Sequence, residues 1–303
     1  MRDRVKVEIV EVGARDGLQN EAVRFSTAQK IALIERMVAA GARRLEVASF
    51  VRADRVPQMA DAEDVIAGLD LPADVTTIGL VMNERGLDRA LRTAVREIGA
   101  VCVATDGFAH ANQGQTSAGS VALAARIVRD ARAAGRRAQA TIGAAFGCPF
   151  EGEVDPERVV AMAEEIADAG PVEIAVADTI GVAVPAQVAA MVTRLREAVP
   201  VPIRVHLHDT RGTGVANAWA AIGAGAATLD GSVGGIGGCP FAPAATGNVA
   251  TEDLLYLCER SGVETGLDLE RTIVAARWLA TEMGRTLSGA VGRAGGFPMG
   301  QDR

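Results

Sequence analysis

Three observations in this 303-residue sequence predict an α/β fold, a (β/α)8 TIM barrel with additional C-terminal helices. Short runs rich in β-branched residues recur eight times along the chain, and segments of helical periodicity separate them. Eight such βα units within roughly 250 residues agree with the length and strand number of a closed barrel. A doubly wound open sheet is the alternative that this pattern also allows.

The predicted strands are short apolar runs that stop at turn residues. They are residues 5–12, 43–49, 75–81, 99–105, 138–146, 172–178, 203–209 and 227–233. Short sequence echoes, such as GCPF at 147–150 and again at 238–241, weakly support similar corners repeated around a ring.

The segments between the strands carry helix start and stop signals. Ser26 or Thr27 can cap the helix that follows the first strand. Asp155 is a predicted cap with Pro156 at the first helical position. Both segments end at glycine, as helices often do.

Helical periodicity continues past the last strand, from Leu269 onward. This tail is too short for a second core of its own. We therefore expect a TIM-barrel domain of residues 1–268 and a helical extension of residues 269–303 packed on the barrel.

The composition excludes several classes of function. A net charge of −7, 3% aromatic residues and no cluster of Lys or Arg argue against a nucleic-acid partner. No apolar stretch reaches the ~18 residues of a spanning helix and no targeting pattern is seen, so we expect a cytoplasmic protein without a membrane partner. The four cysteines form no CxxC pair, which argues against disulfides or a structural zinc site.

In a barrel of this kind the active site lies at the carboxyl ends of the strands. Polar residues at or near the predicted strand ends are therefore the first candidates for function. They are Arg15, Asp16, Glu46, Asp178, His206, His208, Cys239 and Asn248.

His206 and His208 lie two residues apart on one predicted strand, so both side chains leave the same face, with Cα atoms roughly 6–7 Å apart. An isolated pair of this kind is equally compatible with hydrogen-bonded rim residues. In a closed barrel, Asp16 after strand one and Asn248 after strand eight lie beside the pair. This mixed donor set suits Mg²⁺ or Mn²⁺, although a transition metal such as zinc also fits and Asn248 can instead be a loop residue.

Arg15, Glu46 and Asp178 each allow two interpretations. Arg15 can form a surface ion pair or hold negative charge on a substrate oxygen, and we favour the second because it neighbours the expected metal. Glu46 lies in an otherwise apolar strand, so it needs a partner such as Arg15, which it would orient unless it transfers a proton itself. Asp178 can cap the following turn or take part in the site.

Cys239 lies in the glycine-rich stretch GGIGGCPFAPAATGN, which indicates a mobile flap over the barrel mouth. A free cysteine is usually a small buried apolar residue, but within a flap we favour a proton donor or acceptor. Cys148 shares the GCPF context and is given no role. We expect His110 to lie in a loop, in contact with solvent.

Longer motifs are more specific than any of these residues alone. In chain order they are VEVGARDGLQNE, SFVRADRVPQMAD, GCPFEG, DTIGV, HLHDTRG and GGIGGCPFAPAATGNVATEDLLYL. Together they resemble the 3-hydroxy-3-methylglutaryl-CoA (HMG-CoA) lyases, members of a metal-dependent lyase and synthase superfamily built on a TIM barrel. The resemblance covers about Val5 to Ala294.

This resemblance implies metal-dependent cleavage of HMG-CoA, or of a close 3-hydroxyacyl-CoA analogue, to acetyl-CoA and acetoacetate or the matching keto acid. It also implies an acyl-CoA as partner, a homodimer and a role in leucine catabolism. The matching cation ligands are Asp16, His206, His208 and Asn248. The matching catalytic residues are Arg15, Glu46, Asp178, His206 and Cys239, and the expected substrate-binding residues are Arg15 and Gln19.

Three departures from the family pattern concern the acyl pocket rather than the metal ligands. Thr141 stands where the family typically has a tyrosine, ATD at 104–106 replaces ASE, and Arg211 replaces the tyrosine of HDTYG. A branched, longer or differently charged 3-hydroxyacyl-CoA is therefore compatible with the sequence.

Two other functions stay open. A related TIM-barrel aldolase or acyl-transferring synthase would use the same scaffold, although the GLQNE and flap motifs favour the lyase. A non-catalytic metal-binding scaffold is disfavoured because the metal ligands, arginine, carboxylates and thiol all occur together.

Overall fold

The computed structural model describes residues 5–238 and 247–298 as eight parallel strands surrounded by helices. The strands are β1 (Glu8–Glu11), β2 (Arg44–Ser49), β3 (Thr76–Val81), β4 (Glu97–Val103), β5 (Arg137–Gly143), β6 (Ile174–Asp178), β7 (Ile203–Leu207) and β8 (Thr228–Gly231). They close into one barrel in chain order, since β1 pairs with both β2 and β8. The predicted TIM barrel is confirmed, and the alternative of an open sheet is wrong.

The helices connect consecutive strands and continue beyond β8. They are α1 (Thr27–Ala39), α2 (Ala62–Ala67), α3 (Glu84–Leu91), α4 (Asp106–Gln113), α5 (Ser117–Ala133), α6 (Pro156–Ala167), α7 (Pro185–Ala198), α8 (Gly214–Gly223), α9 (Thr251–Arg260), α10 (Leu269–Met283) and α11 (Ala290–Ala294). Within the described ranges, none of them has the length and apolar character needed to cross a membrane.

The predicted helix caps are confirmed where the sequence signal was strongest. Ser26 caps α1, because its hydroxyl accepts from the backbone N–H of Gln29 and its own N–H donates to the Gln29 side chain. Thr27 is instead the first helical residue. Asp155 caps α6, accepting from the N–H of Glu157 at 3.0 Å.

Several strands end earlier than the apolar pattern predicts, and this shapes the barrel mouth. β5 stops at Gly143, because Ala144 adopts a positive φ of 54° that turns the chain out of the sheet. β7 stops at Leu207, and His208 instead forms an isolated antiparallel bridge with Asn248. The bridge brings the segment after β8 directly beside the end of β7.

The prediction that His110 lies in a loop is wrong. His110 belongs to α4, which ends at Gly114 with a left-handed φ of 70°. Its polar neighbours obscured the helical pattern, because α4 buries only Phe108 and Ala109. The imidazole itself is exposed, and its Nδ1 lies 2.8 Å from the carbonyl oxygen of Asp106.

The C-terminal helices pack on the barrel layer. α10 contacts α1 and α9, and the N–H of Asp268 donates to the carbonyl of Ala40 at 2.7 Å. Gln29 on α1 also donates to Glu282 on α10, at 2.7 Å. A domain boundary at residue 268 stays a prediction.

Charged side chains fill part of the barrel interior. Arg44 on β2 pairs with Glu97 on β4 and, at 3.0 Å, with Glu173 just before β6. Glu97 also pairs with Arg137 on β5, at 3.0 Å. Since neither β4 nor β6 is a neighbour of β2, the contacts of Arg44 with Glu97 and Glu173 must cross the inside of the barrel. Isolated buried charges are unfavourable, so each charge here depends on its partners.

Loss of the Glu97 charge should therefore destabilise the barrel strongly. We expect Glu97→Gln to lower the free energy of unfolding by about 3–5 kcal/mol, because Arg44 loses a buried partner. The matched change Glu84→Gln breaks an exposed ion pair with Arg126 and should lower it by less than about 1 kcal/mol. Equilibrium denaturation of both variants tests this, and equal effects would contradict it.

Candidate active site

The chain leaves β1 in a tight turn that places two of the predicted site residues. Residues Gly13–Gly17 form a π-helical turn in which the N–H groups of Arg15 and Gly17 both donate to the carbonyl of Val12. A Cβ at Gly13 would lie 2.6 Å from the Glu11 carboxylate, and one at Gly17 would lie 2.5 Å from the Ser232 hydroxyl. A side chain at either glycine would therefore displace these buried groups. The turn carries Arg15 and Asp16 to the barrel mouth.

Asp16, His206 and His208 converge at the carboxyl ends of β1 and β7. One potential ligand atom from each lies within 4.8 Å of the others, and the imidazole centroids are 5.1 Å apart. Three donors at this spacing can reach a single ion. The structure thus brings together three of the four ligands predicted from sequence.

Asn248, the fourth predicted ligand, lies at the same place. Its side-chain N–H group donates to Asp16 at 2.9 Å and to the carbonyl of Ile236 at 3.1 Å. Its Oδ1 and the Nδ1 of His208 are buried without a hydrogen-bond partner. Buried polar atoms normally have a hydrogen-bond partner, so this oxygen and this nitrogen fit the role of ligand atoms for a divalent cation.

A carboxylate missed by the sequence reasoning holds His206. The Nδ1 of His206 lies 2.7 Å from Asp230 on β8, which leaves Nε2 free to face the cluster. Such a carboxylate fixes the tautomer and the ring orientation of a ligating histidine. The available signal was a lone aspartate in the apolar run ATLDGSV, the same kind of signal that identified Glu46.

Glu46 has the partner that its sequence context demanded. Its Oε2 accepts from Arg15 Nε at 2.7 Å and also from Arg15 Nη2, while its Oε1 accepts from Arg204 Nη2 at 2.8 Å. Arg204 also donates to Asp230 at 2.7 Å. One buried guanidinium therefore links the carboxylate behind Arg15 to the carboxylate behind His206.

These charges control the protonation of the cluster. Burial opposes ionisation of Asp16, but Arg15 and the histidines outweigh it and hold the pKa of this carboxyl well below its ordinary value. Burial and the neighbouring His206 lower the pKa of His208 to about 4, so this imidazole is neutral near pH 7 and has a lone pair for a metal.

The contacts of Asp178 are those of a residue that caps the following turn. Its two carboxylate oxygens accept from the backbone N–H groups of Val182 and Ala183, at 2.9 and 3.0 Å. The side chain is buried, and its neighbours Ala177 and Thr179, rather than Asp178, line the site cavity. A catalytic role for Asp178 stays a prediction.

A cavity of about 180 Å³ opens over the cluster. Gln19, the predicted substrate-binding residue, lines it with a buried Oε1 that has no partner, and Asn20 beside it donates to the carbonyl of Gly238 at 2.8 Å. The charged and imidazole side chains that line the cavity are those of Arg15, Asp16, Arg204, His206 and His208.

The residues that depart from the family pattern differ in position. Thr141 on β5 lines the cavity. Arg211 instead donates to the carbonyls of Ile180 and Gly181, which ties two mouth loops together. Thr105 donates to the buried thiol of Cys148 at 3.0 Å. Cys239, the predicted proton donor or acceptor, lies outside the described residues.

Comparisons with known proteins identify the family of this chain. The model of the HMGL-like family matches residues 6–279. An (R)-citramalyl-CoA lyase of Chloroflexus aurantiacus is 45% identical over 300 residues, covering 95% of both chains. A hydroxymethylglutaryl-CoA lyase of Bacillus subtilis is 39% identical over 283 residues, covering 93% of this chain and 95% of the relative.

Solved structures give the same result. The crystal structure of the Bacillus subtilis HMG-CoA lyase superposes with a TM-score of 0.92 at 38% identity and covers 95% of this chain and 97% of its own. An Acinetobacter baumannii HMG-CoA lyase in complex with coenzyme A and 3-methylmalate also has a TM-score of 0.92, at 35% identity and 97% and 98% coverage. With its closed barrel and its His/Asp cluster, the chain belongs to the HMGL-like family of metal-dependent lyases.

Proposed function

We propose that this protein cleaves HMG-CoA, or a close 3-hydroxyacyl-CoA analogue, to acetyl-CoA and acetoacetate or the matching keto acid. The observation that carries the proposal is the convergence of Asp16, His206 and His208 beside Arg15 on one cavity. The names of its relatives, lyases of hydroxymethylglutaryl-CoA and of citramalyl-CoA, support the same class of reaction.

We further propose that the resident ion is Mg²⁺ or Mn²⁺, held by Asp16, His206, His208 and Asn248. The unpaired Asn248 oxygen and His208 nitrogen support this donor set. When bound, such an ion acts as a Lewis acid that lowers the pKa of an alcohol and polarises carbonyl oxygens. We also propose that the protein is a cytoplasmic homodimer with a role in leucine catabolism.

The reaction is a retro-Claisen cleavage. A base takes the proton of the tertiary hydroxyl, the oxygen forms the keto group, and the bond between carbons 2 and 3 breaks. Its electron pair passes into the thioester as an enolate, which then takes a proton at carbon 2 to give acetyl-CoA.

Each proposed residue has a part in these transfers. Arg15 is proposed to stabilise the enolate oxygen, and the Glu46 carboxylate that holds its guanidinium at the cavity wall supports this role. His206 and Cys239 are the proposed proton-transfer groups, and Gln19 is proposed to hydrogen-bond the acyl chain. Asp178 would support the site through the loop after β6, whose N–H groups it binds.

A panel of 3-hydroxyacyl-CoA esters tests the function directly. We expect mass spectrometry to detect acetyl-CoA and the matching keto acid from at least one ester when Mg²⁺ or Mn²⁺ is present. Chelation should abolish the products and either ion should restore them. Absence of cleavage across the panel, or cleavage unaffected by chelation, would contradict the proposal.

Asp230 should matter through His206. We expect Asp230→Asn to lower Mn²⁺ affinity or kcat/KM by about 10–100-fold, since the imidazole loses the carboxylate that orients it. Titration of Mn²⁺ by paramagnetic resonance, together with kinetics, gives both numbers. Asp64→Asn, on the exposed face of α2, is the matched control. If the Asp230 and Asp64 variants have equal Mn²⁺ affinity and equal kcat/KM, Asp230 has no role in the site.

Cys239 should affect chemistry rather than metal binding. We expect Cys239→Ser to lower kcat by about 10²–10⁴-fold, the range typical of a positioned proton-transfer group, with unchanged Mn²⁺ affinity. Cys258→Ala, a change at a buried thiol of α9, serves as control. If metal affinity and kcat fall together, Cys239 builds the site instead of transferring a proton.

A further inference from the structure

The cavity has two chemically different walls. One wall, from the turn after β1 and from β7, carries Arg15 and the metal-binding cluster. The opposite wall, from the end of β3, from β4 and from α4, carries no charged side chain. It consists of the apolar residues Leu80, Met82, Val101, Val103 and Phe108 and the neutral amide Asn112. β5 and β6 contribute only small or uncharged residues between the two walls, among them Thr141 and Thr179.

Positive charge is confined to the first wall. Arg204, the other arginine at the cavity, lies on β7 in the same wall. Its Nε and Nη2 donate to Asp230 and Glu46, and its Nη1, which has no hydrogen-bond partner, lies 3.8 Å from Glu173. Among the described lining residues, a substrate anion therefore meets cationic groups only on the first wall, at Arg15, at Arg204 and at the cation-binding cluster.

Thr141 lies at the floor between these walls, in uncharged surroundings. In the sheet its register partners are Val101 on β4 and Ala175 on β6, both apolar. A tyrosine at this position would extend an aromatic ring with a hydroxyl toward the cavity. Threonine leaves that space open and offers one short hydroxyl in its place.

A free carboxylate is strongly disfavoured in such an uncharged half-cavity, because it loses water without gaining a cation. A carboxylate bonded directly to the carbinol carbon stays beside the hydroxyl, on the wall that carries Arg15 and the cluster. One intervening CH2 moves the carboxylate away by a further C–C bond, roughly 1.5 Å. The remaining methyl group then fits the apolar wall.

We propose that this cavity selects 3-hydroxyacyl-CoA esters whose free carboxylate is bonded directly to the carbinol carbon, and that Thr141 sets this selection. The proposal rests on the function proposed above and specifies its substrate class. The keto product is then a 2-keto acid rather than a 3-keto acid.

Competing esters test the selection. We expect kcat/KM for citramalyl-CoA to exceed that for HMG-CoA at least tenfold with saturating Mn²⁺. Thr141→Tyr should shift the ratio at least tenfold toward HMG-CoA, since the ring fills the open space and its hydroxyl can donate to the more distant carboxylate. Thr193→Tyr, the same exchange on the exposed face of α7, should leave the ratio unchanged.

A binding measurement complements the kinetics. In calorimetry with Mn²⁺, free 2-hydroxy-2-methylsuccinate should bind at least tenfold more tightly than 3-hydroxy-3-methylglutarate, and Thr141→Tyr should reduce this difference. Thr141→Asn, a smaller change that adds an amide donor, should shift both ratios in the same direction and replaces the tyrosine variant if that one does not fold.

The outcomes separate the two proposals. Cleavage of both esters with equal or reversed preference overturns the selection and leaves the lyase function standing. The expected preference without any shift in the Thr141 variants overturns the assignment to Thr141. Cleavage of neither ester, nor of any other 3-hydroxyacyl-CoA in the panel, overturns the lyase function itself.

Discussion

The buried guanidinium of Arg204 is the contact on which the arrangement of the site depends. It donates to Glu46, which binds Arg15, and to Asp230, which binds His206. Arg15 and His206 are therefore both oriented, each through one carboxylate, by the same buried guanidinium. Since β2, β7 and β8 supply these residues, the alignment exists only when the barrel is closed.

This arrangement is demanding, because ion pairs inside a protein lose more hydration than they recover unless every partner is present. In the barrel, buried charges of alternating sign follow one another from Arg204 to Glu173, from Glu173 to Arg44 and from Arg44 to Glu97. A polar interior replaces much of the apolar filling common in such barrels. We interpret it as the rigid base that holds catalytic side chains within the narrow tolerances of a reaction site.

Local signals in the sequence were sufficient for the barrel and for much of the site. Alternating strand and helix patterns predicted closure, and the spacing of His206 and His208 placed both imidazoles on one face. The role of Arg204 could not be predicted, because it follows from pairs with Glu46 and Asp230 that are distant in sequence. The π-helical turn of Gly13–Gly17 and the helix around His110 were missed for a related reason, since tertiary contacts override weak local patterns there.

We propose that side chains from the first, seventh and last strand ends converge on one divalent cation. A crystal structure of the protein grown with Mn²⁺, with anomalous diffraction recorded for that ion, tests it most directly. We expect a single anomalous peak bound by Asp16, His206, His208 and the Oδ1 of Asn248, with the Nδ1 of His206 still on Asp230. Imidazoles turned apart with no manganese between them, or an ion bound elsewhere, would contradict it.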